Sequence, residues 1–383
     1  MTVDVAIIGG GLIGLATAFE ARQHGLSVQV IEAANCGRHA SSASAGGVRS
    51  LNRHMAEIPL ARAALDLWRG LAERLGHDVG FVQSGQMRLA EDVAGMAAFE
   101  ARIARLADAG WTHERLSSAR HLRVRLPDSA PHCRGALVVD DDGFADPLAT
   151  LHAYRCACLA AGVTLSEGCA VHGVVRAGAG ALAIDTARGE IRARHVVNCA
   201  GAWGGDLVAD ERIAMRTAAL QMIVTAPVAP FVTPVIGVHG RKLSLKQTDT
   251  GAVVIGGAFE GHLRHARDAV AARGDLDPGR IGASLANAVA VFPHLAQARI
   301  LRAWSGLEGI MPDGLPVLGP SGRVPGLIHA FGFSAHGFAL APLVGRMVAD
   351  HLHSGAGVGA MAPFSVARFG TDAPARQKEM SDA

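Results

Sequence analysis

The stretch Val3-Asp4-Val5-Ala6-Ile7-Ile8-Gly9-Gly10-Gly11-Leu12-Ile13-Gly14 decides the fold. Val3 to Ile8 is a short apolar run, as expected of a parallel strand buried on both faces. A helical apolar segment follows and ends near His24, with Gly25 placed to cap it. Val28 to Ile31 reads as a second buried strand, closed by Glu32, 18 residues after Gly14. Together these make a βαβ unit. Each part of the G-x-G-x-x-G pattern has a physical task. Gly9 permits the tight turn off the strand, Gly11 lets a pyrophosphate approach the backbone, and Gly14 allows close helix–strand packing. The helix N-terminus favours phosphate, and Glu32 can accept hydrogen bonds from ribose hydroxyls. The pattern predicts dinucleotide binding and does not separate NAD from FAD. The acid after the second strand disfavours a 2′-phosphate.

Working outward, Met55 to Leu75 carries apolar residues at three- and four-residue spacing and predicts one amphipathic helix. Phe81 to Leu89 reads as a strand and Val93 to Ala107 as a helix. Asp146-Pro147 starts a helix that runs to about Ala161 and stops at Gly162, before a strand at Val163 to Leu165. Val171 to Arg194 suggests a β-meander, and His195 to Cys199 another buried strand. Ile213 to Ile255 is strand-rich, and Pro278 to Val291 is helical. Leu327 to Phe331 is a strand, and Ser334 to Leu352 the last long helix. Beyond Ser365 the chain is polar and aperiodic, as a tail would be.

At 383 residues, half of them apolar, the chain has enough material for two or three domains with sizeable cores. The charge is nearly balanced, 36 Lys+Arg against 34 Asp+Glu, which argues against a nucleic-acid binder. The six cysteines form no CxxC and have no metal-site spacing, so they are expected as free thiols in a reducing compartment. No signal peptide is legible, and the uncharged stretch from Thr217 to Gly240 is interrupted by Pro227, Pro230 and Pro234. The expectation is a cytoplasmic protein with no transmembrane segment.

Three further segments narrow the reading. They are Ser41-Ser42-Ala43-Ser44-Ala45-Gly46-Gly47-Val48-Arg49, Val196-Val197-Asn198-Cys199-Ala200-Gly201-Ala202-Trp203, and Met311-Pro312-Asp313-Gly314-Leu315-Pro316-Val317-Leu318-Gly319 followed by Gly332-Phe333-Ser334-Ala335-His336-Gly337-Phe338. With the N-terminal pattern they resemble the FAD-dependent D-amino-acid oxidase superfamily, up to about Leu352. The third segment looks most like the branch of sarcosine oxidase β-subunits, dimethylglycine dehydrogenases and D-hydroxyproline dehydrogenase β-subunits. The resemblance implies an α/β fold in which a Rossmann-like FAD-binding domain (1–80, 145–211, 306–364) interleaves with an α+β substrate domain built on a β-sheet (81–144, 212–305), followed by a tail (365–383). It implies FAD held by Gly9, Gly11, Leu12, Ile13, Gly14, Glu32, Ser41, Ser42, Ala45, Gly46, Gly47, Val171, Gly201, Trp203, Asp313 and the run Gly332, Phe333, Ser334, Ala335, His336, Gly337, Phe338. Read physically, the small hydroxyl-rich loop offers backbone N–H groups to phosphate and ribityl, or is an ordinary surface loop. The N–H groups of Gly332 to Phe338 would face the flavin, where a positive helix end stabilises reduced flavin; the alternative is a plain helix entry.

The implied activity is oxidation of the C–N bond of a small secondary or N-substituted amino acid, sarcosine- or D-hydroxyproline-like, by hydride transfer to FAD and hydrolysis of the imine. A 2-hydroxy acid or alcohol dehydrogenase, or a flavin electron-relay subunit with a second subunit as partner, are the competing readings. Glycine oxidase and D-amino-acid oxidase types resemble Trp304-Ser305-Gly306-Leu307 but continue with a carboxylate-binding Arg, where this chain has Glu308. The candidates for substrate chemistry are therefore Arg49 as a carboxylate clamp or a salt-bridge partner, with Arg53 behind it. Glu308 is an amine- or hydroxyl-recognising group or a surface charge. His336 is a flavin or substrate contact or a satisfied helix-start histidine. Monomeric sarcosine oxidases attach flavin through a Cys six residues before the Pro of the Pro-Asp segment. That position is Gly306 here, which implies non-covalent FAD. Those oxidases also place a Lys over the flavin, and only Lys246 suits; a dehydrogenase passing electrons to a partner or another acceptor is the expectation.

Overall fold

The computed structural model describes residues 2–178, 180–208, 211 and 213–370. The strand Thr2–Ile8 is buried from Val5 onward on both faces, because it lies inside a sheet with parallel neighbours on each side. The order runs Val317–Pro320, Leu327–Phe331, Ile191–Asn198, Thr2–Ile8, Val28–Ile31, Thr164–Ser166, with the hairpin strands Val171–Arg176 and Leu182–Thr186 attached at Ile191–Asn198. Register fixes the centre: Ile7 pairs with Val197 and with Val30, and Val197 with Ile328. The helix Leu12–Gln23 follows the first strand and is buried along most of its length, packed under the final helix Gly337–Ser354 and the helix Pro147–Ala160. One apolar core joins all of them.

A second eight-stranded sheet runs Ile300–Ile310, Arg216–Thr225, Val253–Gly256, Arg241–Gln247, Val235–Val238, Gln86–Ala90, Gly135–Val139, Arg115–Ser118. Its own core includes Met87, Ile223, Ile255 and Phe292, and the helix Pro278–Val291 packs on it. The first sheet draws on chain from both ends and the middle, so the α/β class and the interleaving of a dinucleotide fold with a second β-sheet are as the sequence implied.

Several local expectations need correction. The helix drawn from Met55 to Leu75 is three pieces: a 3-10 turn Met55–Glu57, a helix Ile58–Arg69, and a short helix Leu71–Leu75 after a break at Gly70. The strand at Phe81–Leu89 is confined to Gln86–Ala90, with Val82 making a lone bridge to Phe144. The last helix starts at Gly337 rather than Ser334, because Gly332, Ser334 and Ala335 have φ of +69°, +49° and +66°. The tail does not begin at 365: Val366–Phe369 forms a 3-10 turn whose Arg368 bonds Asp313 and the Leu315 carbonyl. Residues 371–383 lie outside the described residues. All six cysteines are free, Cys36 and Cys156 being only partly buried.

Candidate functional site

A cavity of about 860 Å³ opens where the first sheet's parallel strands end. That volume lies in the upper part of the range for small-molecule sites. Its floor is Gly9, Gly11, Leu12 and Ile13. A Cβ at Gly14 would sit 2.0 Å from the Gly9 carbonyl oxygen, and one at Gly9 would sit 2.3 Å from the Cys199 oxygen, so strand, turn and helix can meet only without side chains there. Glu32 accepts hydrogen bonds from the Gly10 and Ala34 amides, each at 2.8 Å, which fixes its carboxylate at the cavity edge. Ser41 Oγ accepts from the Leu12 amide at 2.9 Å and ties the hydroxyl-rich segment to the helix N-terminus. Ala40–Ala43 is a short helical turn, and Trp304 Nε1 donates to the Ala43 carbonyl at 3.0 Å. At Gly306 a Cβ would meet Ala43 Cβ at 2.5 Å, so this turn crosses the second sheet where no side chain fits.

A segment that sequence reasoning passed over closes part of the cavity. Ala266 to Val270 line it, held by Trp203 Nε1 donating to the Ala266 carbonyl at 2.8 Å and by a bond of 2.9 Å between His39 Nε2 and the Ala269 carbonyl. A carbonyl only accepts, so His39 Nε2 carries the proton. The His39 and Trp203 rings lie 4.7 Å apart.

The far end of the cavity is formed by Leu307, Glu308, Phe333, Ala335, Gly337 and Phe338. Three bonds stitch the sheet edge to the turn before the final helix. The Ser334 amide donates to Gly309 O (3.2 Å), the Met311 amide to Ser334 Oγ (3.0 Å), and the Ala335 amide to Glu308 (3.2 Å). Two consecutive non-glycine residues with positive φ are uncommon and cost strain, which these bonds offset. The amides of Ser334, Ala335 and His336 are thus used inside the chain, contrary to the expectation that they face a flavin, although Gly332, Phe333, Ala335, Gly337 and Phe338 of that segment line the cavity. Burial raises the Glu308 carboxyl to about 7, with the Ala335 amide opposing.

His336 turns away from the cavity wall. Its Nδ1 lies 3.0 and 3.1 Å from the two oxygens of Glu57, a carboxylate with no exposed surface. Burial, and then Arg53, drive His336 down to about 4, so it is neutral near pH 7. Arg49 and Arg53 lie close enough to influence both partners. Arg53 is 2% exposed, its Nε donates to the Arg49 carbonyl at 3.2 Å, and its Nη1 is buried without a hydrogen-bond partner. Asp142 accepts from the Ser50 amide, the Ser50 hydroxyl and the Leu51 amide and so shapes the loop carrying these arginines.

Of the candidates, Gly9, Gly11, Leu12, Ile13, Glu32, Ser41, Val171, Gly201, Trp203, Gly332, Phe333, Ala335, Gly337, Phe338 and Glu308 line the one cavity. Gly14 packs behind it. Ser42, Ala45, Gly46, Gly47, Asp313, Ser334, His336 and Arg49 are not on its wall. Gly47 pairs with Phe144 in a short ladder, and Asp313 is bonded to Arg368. Lys246 is also elsewhere: it is buried with Nζ 4.2 Å from the Phe144 ring centroid, and burial lowers it to about 8. Glu57 was missed, yet it sits in line with Ala61, Ala64 and Trp68 on the buried stripe of its helix, where an acid is out of place.

The cavity volume, the glycine floor, the oriented Glu32 and the helix N-terminus fit FAD, whose adenosine end Glu32 would hold and whose ring end would lie towards Glu308 and Gly337. Among the described residues no helix is long and apolar enough to cross a membrane, and no group of ligands could hold a metal ion. The chain is similar to glycine oxidase of Geobacillus kaustophilus, 30% identical over 380 residues that cover 95% of this chain and 97% of that protein. It is 27% identical to the sarcosine oxidase subunit beta of Rhizobium meliloti over 380 residues, covering 96% of this chain and 88% of that one. The crystal structure of the Geobacillus kaustophilus glycine oxidase superposes with a TM-score of 0.85 at 26% identity, covering 96% of this chain and 99% of that chain. The family model described as FAD dependent oxidoreductase matches residues 4–351, and the chain belongs to that family and uses FAD.

Proposed function

We propose that this flavoprotein is an amino-acid dehydrogenase acting on a small secondary or N-substituted amino acid. The observation that carries the reading is Glu308: a partly buried acid on the cavity wall, next to the turn that opens the final helix, where the glycine oxidase type has an arginine for a primary amino acid's carboxylate. When bound, the flavin supplies the two-electron acceptor for hydride. Glu308 faces the amine and takes a proton from the incoming ammonium, since a carboxyl titrating near neutrality is suited to that exchange. The nitrogen lone pair is then free to form the C=N bond as hydride leaves carbon, and water adds to the imine and releases the amine. Arg49, with Arg53 behind it, is the candidate guanidinium for the substrate carboxylate; neither lines the cavity wall, so this role requires the Arg49 side chain to turn towards the cavity. The similarity to a protein named as a sarcosine oxidase subunit supports both the secondary amine and a second subunit as electron partner. FAD is held without a covalent bond at Gly306, where no side chain fits. Anaerobic mixing of the holoenzyme with sarcosine, proline isomers, hydroxyproline, glycine and 2-hydroxy acids tests the reading. Bleaching of the flavin band by a secondary amino acid supports it; bleaching by 2-hydroxy acids alone overturns it.

A further inference from the structure

We propose that Arg38 and Arg267, brought to the cavity from the two halves of the fold, are the cationic pair for the pyrophosphate of FAD, and that the hairpin carrying Arg267 is latched across the cavity to keep it there.

The hairpin is built on the second sheet. His262–Arg264 pairs with Arg273–Asp275, and the loop between them runs from His265 to Ala272. Its base is fixed. A Cβ at Gly274 would lie 2.4 Å from Ser305 Oγ and 2.6 Å from Ala219 Cβ, and Ser305 Oγ donates to the Gly274 carbonyl at 2.6 Å. Just beyond, the Asp277 amide donates to the Gln221 side chain at 2.7 Å. The tip reaches the other half of the fold, where the Ala266 and Ala269 carbonyls accept from Trp203 and His39. Between these two latches Asp268 Oδ1 accepts from the Val270 and Ala271 amides at 2.8 and 3.0 Å, so the loop holds its own shape. A loop tied to both halves places Arg267 on the cavity wall instead of leaving it on a free surface turn.

Arg38 arrives from the opposite side. The Gly37 amide donates to the Gly10 carbonyl at 3.0 Å, which sets Arg38 beside the glycine turn, and the next residue, His39, is the one that grips Ala269. The two arginines are therefore anchored through neighbouring residues at the phosphate end of the glycine pattern. The charge of the ligand calls for them. A pyrophosphate diester carries two negative charges, and a helix N-terminus supplies only about half a positive one. Among the residues that line the cavity, Arg38 and Arg267 are the only Lys or Arg. Both are exposed, and neither side chain has a hydrogen bond or ion pair among the described residues. Of the acids on the same wall, Glu32 is spent on the Gly10 and Ala34 amides and Asp268 on its own loop, while Glu308 lies at the far end and Asp206 pairs with neither arginine. Two uncommitted guanidiniums beside a phosphate-binding turn suit bidentate contact with phosphate oxygens.

The test uses holoenzyme and reads FAD release on dilution, from the fluorescence of freed flavin, at about 0.02 M and about 0.5 M salt. Arg267→Gln and Arg38→Gln should each speed release about tenfold at low salt, the equivalent of one charge-assisted contact. The gap from the parent should close at high salt, where the lost attraction is screened. Arg267→Lys, which keeps the charge, should stay within about threefold of the parent and retain its salt dependence. Trp203→Phe loosens a latch without removing charge, so its faster release should be the same at both salts. Release at the parent rate in Arg267→Gln overturns the proposal. So does faster release that is independent of salt and equal in Arg267→Lys, because that is the signature of lost packing. An effect of Arg38→Gln alone removes the hairpin from phosphate binding and overturns the pair. No amino-acid substrate enters these measurements, so their outcome is separate from that of the flavin-bleaching test.

Discussion

Replacing Glu308 by Gln removes an ionisable group from the cavity wall while keeping its size and an acceptor for the Ala335 amide. The unfolded carboxyl titrates at 4.5 and the folded one at about 7, so the folded chain binds the extra proton between those values. The unfolded state binds fewer protons there, and stability must fall as pH rises from about 4.5 to about 7, then stay level. The full shift corresponds to about 3 kcal/mol. Glu308 borders an open cavity whose water screens the charge, which brings the expected effect to about 1–2 kcal/mol. Glu308→Gln should therefore stabilise the holoenzyme by that amount at pH 8 and by less than about 0.5 kcal/mol at pH 4, where the folded carboxyl is uncharged and the unfolded one largely so. Melting curves across this range, read as a shift of roughly 1–3 °C at pH 8, measure it. A stability gain of equal size at both pH values, or a loss at pH 8, would show that the carboxyl is not buried against its charge.

Other substitutions probe the rest of the site. Gly14→Ala should abolish FAD retention, read as loss of visible absorbance, because its Cβ would lie 2.0 Å from the Gly9 oxygen. Trp203→Phe removes the bond to the Ala266 carbonyl and should speed FAD release several-fold, followed by the fluorescence of freed flavin, with a stability loss of only about 1 kcal/mol. Lys246→Met should stabilise the protein below pH 8: the folded lysine titrates at about 8 against 10.5 unfolded, so its penalty is complete below 8 and fades towards 10.5. The gain in melting temperature should shrink over that interval.

The dinucleotide half was legible because its constraints are local. Gly9, Gly14 and the following strand to Glu32 are fixed by backbone approach within one βαβ unit, and the helices Pro147–Ala160 and Pro278–Val291 carry their own Asp caps, Asp146 and Asp277. What misled were features whose cause lies elsewhere in the chain. Gly70 breaks a helix whose apolar period runs straight through it, and of a longer apolar run the ladder strand is confined to Gln86–Ala90, held between Gly135–Val139 and Val235–Val238. Ser334 and Ala335 look like a helix start, yet their positive φ is imposed by the bonds to Gly309 and Glu308.

The site divides along the same line. Residues that touch a phosphate through backbone carry a spacing, so they can be read from sequence. Residues that meet across the fold carry only an anomaly. Glu57 and His336 are 279 positions apart, and nothing in either neighbourhood names the other. The legible trace is that a carboxylate occupies a stripe otherwise made of Ile, Ala, Leu and Trp. A buried charge on an apolar stripe demands a partner. The demand is physical: the strand Ile300–Ile310 delivers Glu308, the turn after Leu327–Phe331 delivers His336, and the turn Met55–Glu57 ahead of the helix Ile58–Arg69 brings Glu57 against it. Each of these acids is satisfied only by a residue brought from far along the chain: Glu308 by the Ala335 amide on the cavity wall, and Glu57 by His336 behind it.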